Sequence, residues 1–214
     1  MTPSVWIAPL PLLLASTSRT RRQLLEAAGL TPDVAAPEVD ERAIEAGTGP
    51  DGVSPQSRPQ SRPVDLARRL AREKALAVSR RHPGRIVLGA DQVLACEGAL
   101  FHKPADRAEA LEQLLRLSGR THALHAAGLL ARDGSALEAF DATARLTLRP
   151  LSRPDLERYL DRADPAVLSG TGVYQVEGIG IHLFERIEGD HATILGLPLI
   201  PLLAALRRLG CLAF

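Results

Sequence analysis

Short apolar runs that stop abruptly at polar clusters alternate along this chain with stretches of helical period. Leu12-Leu13-Leu14-Ala15 is fully apolar and leads straight into hydroxyls and arginines, the pattern of a buried strand whose carboxyl end opens onto a polar site. A helix is expected next, because Arg21 to Ala28 has helical composition, Ser18 suits an N-cap and Gly29 a C-terminal cap. From Val64 to about Arg80, Leu66, Leu70, Ala71, Lys74, Ala77 and Val78 recur at helical spacing, and Pro83-Gly84 stops the run. Ile86 to Ala90 reads as a second buried strand ending at Asp91, which sets that carboxylate at the rim of a sheet. Asp106 suits the N-cap of a helix reaching Leu117, closed by Ser118-Gly119. Two strand-like segments follow, divided by the turn signal Asp133-Gly134, and the second alternates through Phe140, Ala142, Ala144, Leu146 and Leu148. Ser152 and Asp155 form a capping-box pattern for a helix through Leu160, Ile179 to Ile187 reads as a strand, and Leu199 to Leu209 as a closing helix. Strands and helices are interspersed, so the class is α/β or α+β around a mixed sheet.

At 214 residues and 45% hydrophobic, the chain can bury one substantial core, and one folding unit over residues 1–214 is expected. Residues 42–63 are rich in Gly, Pro, Ser, Gln and Arg, and Gln56-Ser57-Arg58-Pro59 is repeated as Gln60-Ser61-Arg62-Pro63, which predicts a mobile surface loop. A net charge of +1 gives no basic face for coating nucleic acid, and aromatics at 3% argue against stacking on single strands. Cys96 and Cys211 are too few and too far apart for a disulfide framework or a zinc set. The apolar stretch at Leu10 to Ala15 lacks a preceding Lys or Arg and is interrupted by prolines, so neither a signal peptide nor a membrane span is expected, and the default address is the cytoplasm.

The glycines between 170 and 180 do not make a dinucleotide fingerprint, since Gln175 and Leu183 stand where a third glycine belongs, and no Walker A sequence occurs. A phosphate site would need another device. Ser16-Thr17-Ser18 leading into Arg21-Arg22 offers hydroxyls, backbone amides at a helix start and guanidinium charge, although a plain N-cap with solvated arginines reads the same way. Asp91 suits a strand-end carboxylate at a site and equally a turn residue. Glu41, Lys74 and Lys103 are surface groups by default, and His122 with His125 point to opposite faces of a strand, which discounts a histidine metal site.

Taken in order, Ala-Ser-Thr-Ser with paired arginines, Glu-Val-Asp-Glu, Ala-Arg-Glu-Lys-Ala, Leu-Gly-Ala-Asp, Lys-Pro, Leu-Ser-Gly-Arg-Thr-His, Phe-Glu-Arg-Ile-Glu-Gly-Asp and Gly-Leu-Pro-Leu resemble the Maf family from about Leu12 to Leu209. The resemblance implies a twisted mixed sheet flanked by helices, related to the inosine-triphosphate pyrophosphatases, with two lobes around a cleft. It implies a nucleoside-triphosphate pyrophosphatase, a hydrolase that cuts a nucleotide between its α- and β-phosphates with Mg²⁺ or Mn²⁺. Asp91 then matches the proton acceptor and, with Glu41, the metal-binding acids; Ser16, Ser18 and Arg21 match the phosphate-facing loop, and Lys74 and Lys103 the two lysines of the site. A homodimer is compatible with the resemblance.

Gln92 and Glu177 resemble the branch of the family that hydrolyses 7-methyl-GTP rather than dTTP and UTP, and a glutamate suits guanine because its two oxygens accept from N1–H and the exocyclic amine in parallel. Thr20 departs from that branch, where a bulky aromatic is expected, and the 42–63 segment is longer than the family usually carries. The expected role is house-cleaning removal of modified nucleotides. The alternatives are a dTTP/UTP pyrophosphatase and a non-enzymatic regulator of septum formation and cell division.

Overall fold

A computed structural model describes residues 5–46 and 63–214. Contacts divide the chain into two compact units, one formed by Met1–Gln92, Ala126–Ala142 and Asp190–Phe214, the other by Val93–His125 and Thr143–Gly189.

The first unit begins with β1 (Leu13–Ala15), all of it buried as its apolar run predicts. Ser18 caps α1 (Arg19–Ala27) by accepting from the Arg21 amide, and the chain returns as β2 (Asp33–Val34), parallel to β1. Asp40 caps a short α2 (Glu41–Glu45) through the Ala43 amide. The long α3 (Pro63–Arg81) buries the Leu and Ala face that its period defines and then gives way to β3 (Val87–Cys96). Of the segment 42–63, residues 42–45 are helical and Pro63 opens α3, while residues 56–62 of the Gln-Ser-Arg-Pro repeat lie outside the described residues. Leu12, Leu14, Leu25, Leu88 and Leu130 form the heart of a core with Leu202 and Leu206 of the closing helix (Leu199–Arg208).

In the second unit β4 (Ala99–Phe101) pairs antiparallel with the far half of β3, from Leu94↔Phe101 to Cys96↔Ala99. Helix α4 (Arg107–Leu117) starts at its Asp106 cap, and α5 (Arg153–Leu160) carries the complete Ser152–Asp155 capping box, both as predicted. Strands β5 (Thr121–Arg132) and β6 (Ser135–Leu148) each contribute residues to both units and are joined by Asp133-Gly134, both at positive φ, as a two-residue hairpin turn of this composition requires. β7 (Phe184–Glu188) pairs antiparallel with β6. Among the described residues seven strands follow the order β2-β1-β3-β5-β6-β7 with β4 on β3, and parallel and antiparallel pairs make the sheet mixed. The remaining helices are α6 (His191–Ile194) and α7, the closing helix. Among the described residues no helix is long and apolar enough to cross a membrane.

Two expectations are corrected. Ile179 to Ile187 is not one strand: Ile179–Leu183 is a 3₁₀ turn and only Phe184 onward is extended. The partner strand runs out at Leu148, with Pro150 beyond it lacking an N–H, and the backbone at Gly180 folds against Gln175, where a Cβ would lie 2.5 Å from a carbonyl oxygen. Nor does the second strand stop at Asp91. Val93 to Cys96 continue the buried run, so the carboxylate sits within β3.

Gly89 governs how α3 meets β3. A Cβ there would stand 2.2 Å from the Ala71 carbonyl oxygen and 2.5 Å from the Ala75 nitrogen, so strand and helix touch backbone to backbone. Asp91, two residues on, shares the face of Gly89, and Lys74 lies in the same turn of α3 as Ala71 and Ala75. Gly89→Ala should therefore destabilise the protein by about 2 kcal/mol or more through overpacking, read as a lower urea midpoint at unchanged slope. An unchanged midpoint would contradict this close approach.

Candidate active site

β1 and β3 are parallel in register from Leu13↔Val87 to Ala15↔Gly89, and both turn polar where that pairing ends. From β1 come Ser16 to Ser18 and the start of α1; from β3 come Asp91 and Gln92. Open α/β sheets place ligands at the carboxyl ends of parallel strands, where helix N-termini and loops gather; β1 ends there, and β3 continues past the pairing to Cys96.

Ser16 is buried, and its Oγ accepts from the Ser18 amide at 3.2 Å and from Nη1 of Arg21 at 3.3 Å. The Nε of Arg21 donates to the Gly196 carbonyl at 2.9 Å. Burial pulls the Arg21 guanidinium below the usual arginine value, and the charges of Asp91 and Glu41 oppose that shift. Arg21 is thus fixed between the serine loop and the Gly196 turn, where its charge acts on both acids.

Lys74 reaches those same acids. Its Nζ donates to Asp91 Oδ1 in a short contact and lies 2.8 Å from Glu41 Oε1. The side chains of Lys74 and Asp91 are only 7% and 11% exposed, while Glu41 on α2 is 57% exposed. The inner pair therefore relies on protein rather than water for its solvation, and Glu41 closes it on the solvent side. Two cations and two carboxylates make a cluster of no net charge.

Gln92 has a role that the sequence did not announce. Its amide nitrogen donates to the carbonyls of Thr193 at 2.8 Å and Ile194 at 3.1 Å, tying β3 to the end of α6. The chain then turns at Gly196 with φ +98°, and a Cβ there would approach both Gln92 Oε1 and the Arg21 guanidinium at 3.6 Å. The Gly-Leu-Pro-Leu signature so acquires a physical reason: its glycine makes the turn whose carbonyl holds Arg21. Backbone carbonyls leave no trace in residue type, and only this glycine hinted at their involvement.

Ser16, Ser18, Arg21, Glu41, Lys74, Asp91 and Gln92 all belong to the first unit, with Thr20 in the first turn of α1. Lys103 and Glu177 belong to the second and are exposed, Lys103 after β4 and Glu177 in the Gly-rich turn. That turn is anchored from below. Tyr174 bonds His122 Nε2 through its hydroxyl at 2.6 Å and packs edge-on against Phe184, and Tyr159 donates to the Val173 carbonyl at 3.1 Å. Val173 holds φ +62°, costly for a β-branched residue and sustained only by such surroundings. Two carboxylates facing one cation, open to water through Glu41, are a donor set that suits a hard, oxygen-preferring ion once phosphate oxygens join them. Among the described residues no group of three or more His, Cys, Asp or Glu gathers.

The family model for Maf-like proteins matches residues 11–209, and the chain belongs to the Maf family. A protein of Rhodopseudomonas palustris strain BisB18 named nucleoside triphosphate pyrophosphatase is 48% identical over 211 residues, 99% of this chain and 100% of its own. One of the same name from Nitrobacter hamburgensis is 50% identical, covering 98% of this chain and 99% of its own length. A Brucella abortus protein named 7-methyl-GTP pyrophosphatase is 45% identical over 94% of this chain and 97% of its own.

Burial lowers His122 from 6.5 to about 4, so the folded protein holds the neutral ring while the unfolded chain takes up a proton between those values. Stability should accordingly fall as pH drops through that window, by roughly 3 kcal/mol in all. His122→Gln should flatten the dependence, read by urea denaturation at about pH 7 and about pH 4.5. An undiminished pH slope in the variant would remove His122 from the account.

Proposed function

We propose that this Maf protein, an enzyme of the nucleoside triphosphate pyrophosphatase class, hydrolyses 7-methyl-GTP to 7-methyl-GMP and pyrophosphate. The hydrolase class rests on its family and on full-length relatives bearing that name. The observation that carries the mechanism is the convergence of Arg21, Lys74, Glu41 and Asp91 beside the serine loop.

Ser16, Ser18 and Arg21 receive phosphate oxygens, and Lys74 with Lys103 supplies further positive charge as the leaving pyrophosphate gathers electrons. Asp91 takes the proton of the attacking water. The water oxygen bonds to the α-phosphorus, the bond to the bridging oxygen breaks, and its electron pair leaves with pyrophosphate. Glu41 and Asp91 would hold the divalent cation, Mg²⁺ or Mn²⁺, which when bound offsets triphosphate charge and activates water.

Base choice is assigned to Glu177, whose carboxylate matches the guanine edge, with Gln92 behind the turn that orients Arg21. The name of the Brucella relative supports the same nucleotide. The setting that fits this chemistry is cytoplasmic nucleotide house-cleaning.

Asp91→Asn should lower kcat by at least about 10²-fold without loss of fold, measured as pyrophosphate release with circular dichroism as the control. On a panel of 7-methyl-GTP, GTP, dTTP, UTP, CTP and ITP with Mg²⁺ or Mn²⁺, the first should lead, and chelator should stop turnover. Glu177→Gln should then erode preference for 7-methyl-GTP over UTP by about tenfold or more. A lead for pyrimidines would discard the base assignment and keep the chemistry; absence of turnover on the whole panel would sink the enzymatic reading.

A further inference from the structure

We infer that Lys74 is a built-in stand-in for the divalent cation, holding Glu41 and Asp91 together in the nucleotide-free protein and giving them up when a triphosphate enters. The inference rests on the assignment of those two acids to the metal. One ammonium is shared by two carboxylates from separate elements, α2 and β3. At 7% exposure it has little water, so those oxygens are its solvation shell. With Arg21 acting on the same pair, positive and negative charge already balance.

A divalent ion entering such a cluster finds no net attraction and meets an ammonium at its own ligands, where removal of the lysine charge is the condition for strong binding. Lysine suits this exchange. Its charge is a point on a flexible stem with three donors, and phosphate oxygens can replace carboxylates as its partners. Nucleotide therefore frees the acids in the act of engaging Lys74, and metal and nucleotide affinities rise together, each by the same factor. In the absence of nucleotide the site stays closed to metal although both acids are present.

The test is direct Mn²⁺ titration of nucleotide-free protein, followed by loss of the free-ion electron paramagnetic resonance signal. Lys74→Met should bind Mn²⁺ at least about tenfold more tightly than the parent, and Lys74→Arg, which keeps the charge, should stay weak. The double variant Lys74→Met, Glu41→Gln should lose the gain, which locates it. In the parent, water-proton relaxation should report protein-bound Mn²⁺ only when α,β-methylene-GTP is added. Equal Mn²⁺ affinity in the parent and Lys74→Met, with a ternary complex still formed, would overturn the stand-in role and leave the metal assignment intact. Failure of every protein to bind Mn²⁺, with or without the analogue, would overturn both. Should Lys74→Met not fold, a parent that binds Mn²⁺ as tightly alone as with the analogue would by itself refute the inference.

Discussion

A lysine ammonium buried on a helix must meet its counter-charge on the surface that helix covers, and in the first unit that condition ties the elements together. Gly89 lets α3 lie directly on β3, which brings Lys74 to Asp91. Glu41 then has a reason to begin α2 where it does, since its carboxylate completes the shell of the same ammonium. Arg21 answers the two acids from the helix that follows the neighbouring strand β1, held there by Ser16 and the Gly196 carbonyl. A small residue in a strand, a capped helix start and a glycine turn thus become parts of one electrostatic arrangement.

The second unit follows a different logic. Its Gly-rich segment is fixed by aromatic packing and neutral hydrogen bonds, with Tyr174, His122 and Tyr159 beneath an unusual backbone at Val173. The charged positions proposed for phosphate chemistry and the turn proposed to read a base therefore rest on unlike kinds of support, one polar and paired, the other largely desolvated.

Much of this was legible in the chain because it is local. Caps at Ser18, Asp106 and Ser152 and the Asp133-Gly134 turn depend on neighbours within a few residues, and each formed where its residues predicted. The end of β3 was misread because a lone aspartate looks like a terminator; what keeps it inside the strand is Lys74, 17 residues earlier. The extended reading of Ile179 to Ile187 failed for want of a partner, a fact settled by β6 and Pro150 rather than by the segment itself. The candidate site residues came from family order, whereas the carbonyls of Thr193, Ile194 and Gly196 were invisible, since any residue can supply them. Gln92 is the instructive case: resemblance to one branch of the family linked it to base choice, and its amide is engaged with the backbone.

The self-cancelling charge of the Arg21, Lys74, Glu41 and Asp91 cluster also bears on how nucleotide arrives. A cleft lined by one sign of charge draws oppositely charged ligands from a distance, with rates that collapse as salt rises. A balanced cluster adds little to such a field, which leaves discrimination to the contacts made after arrival.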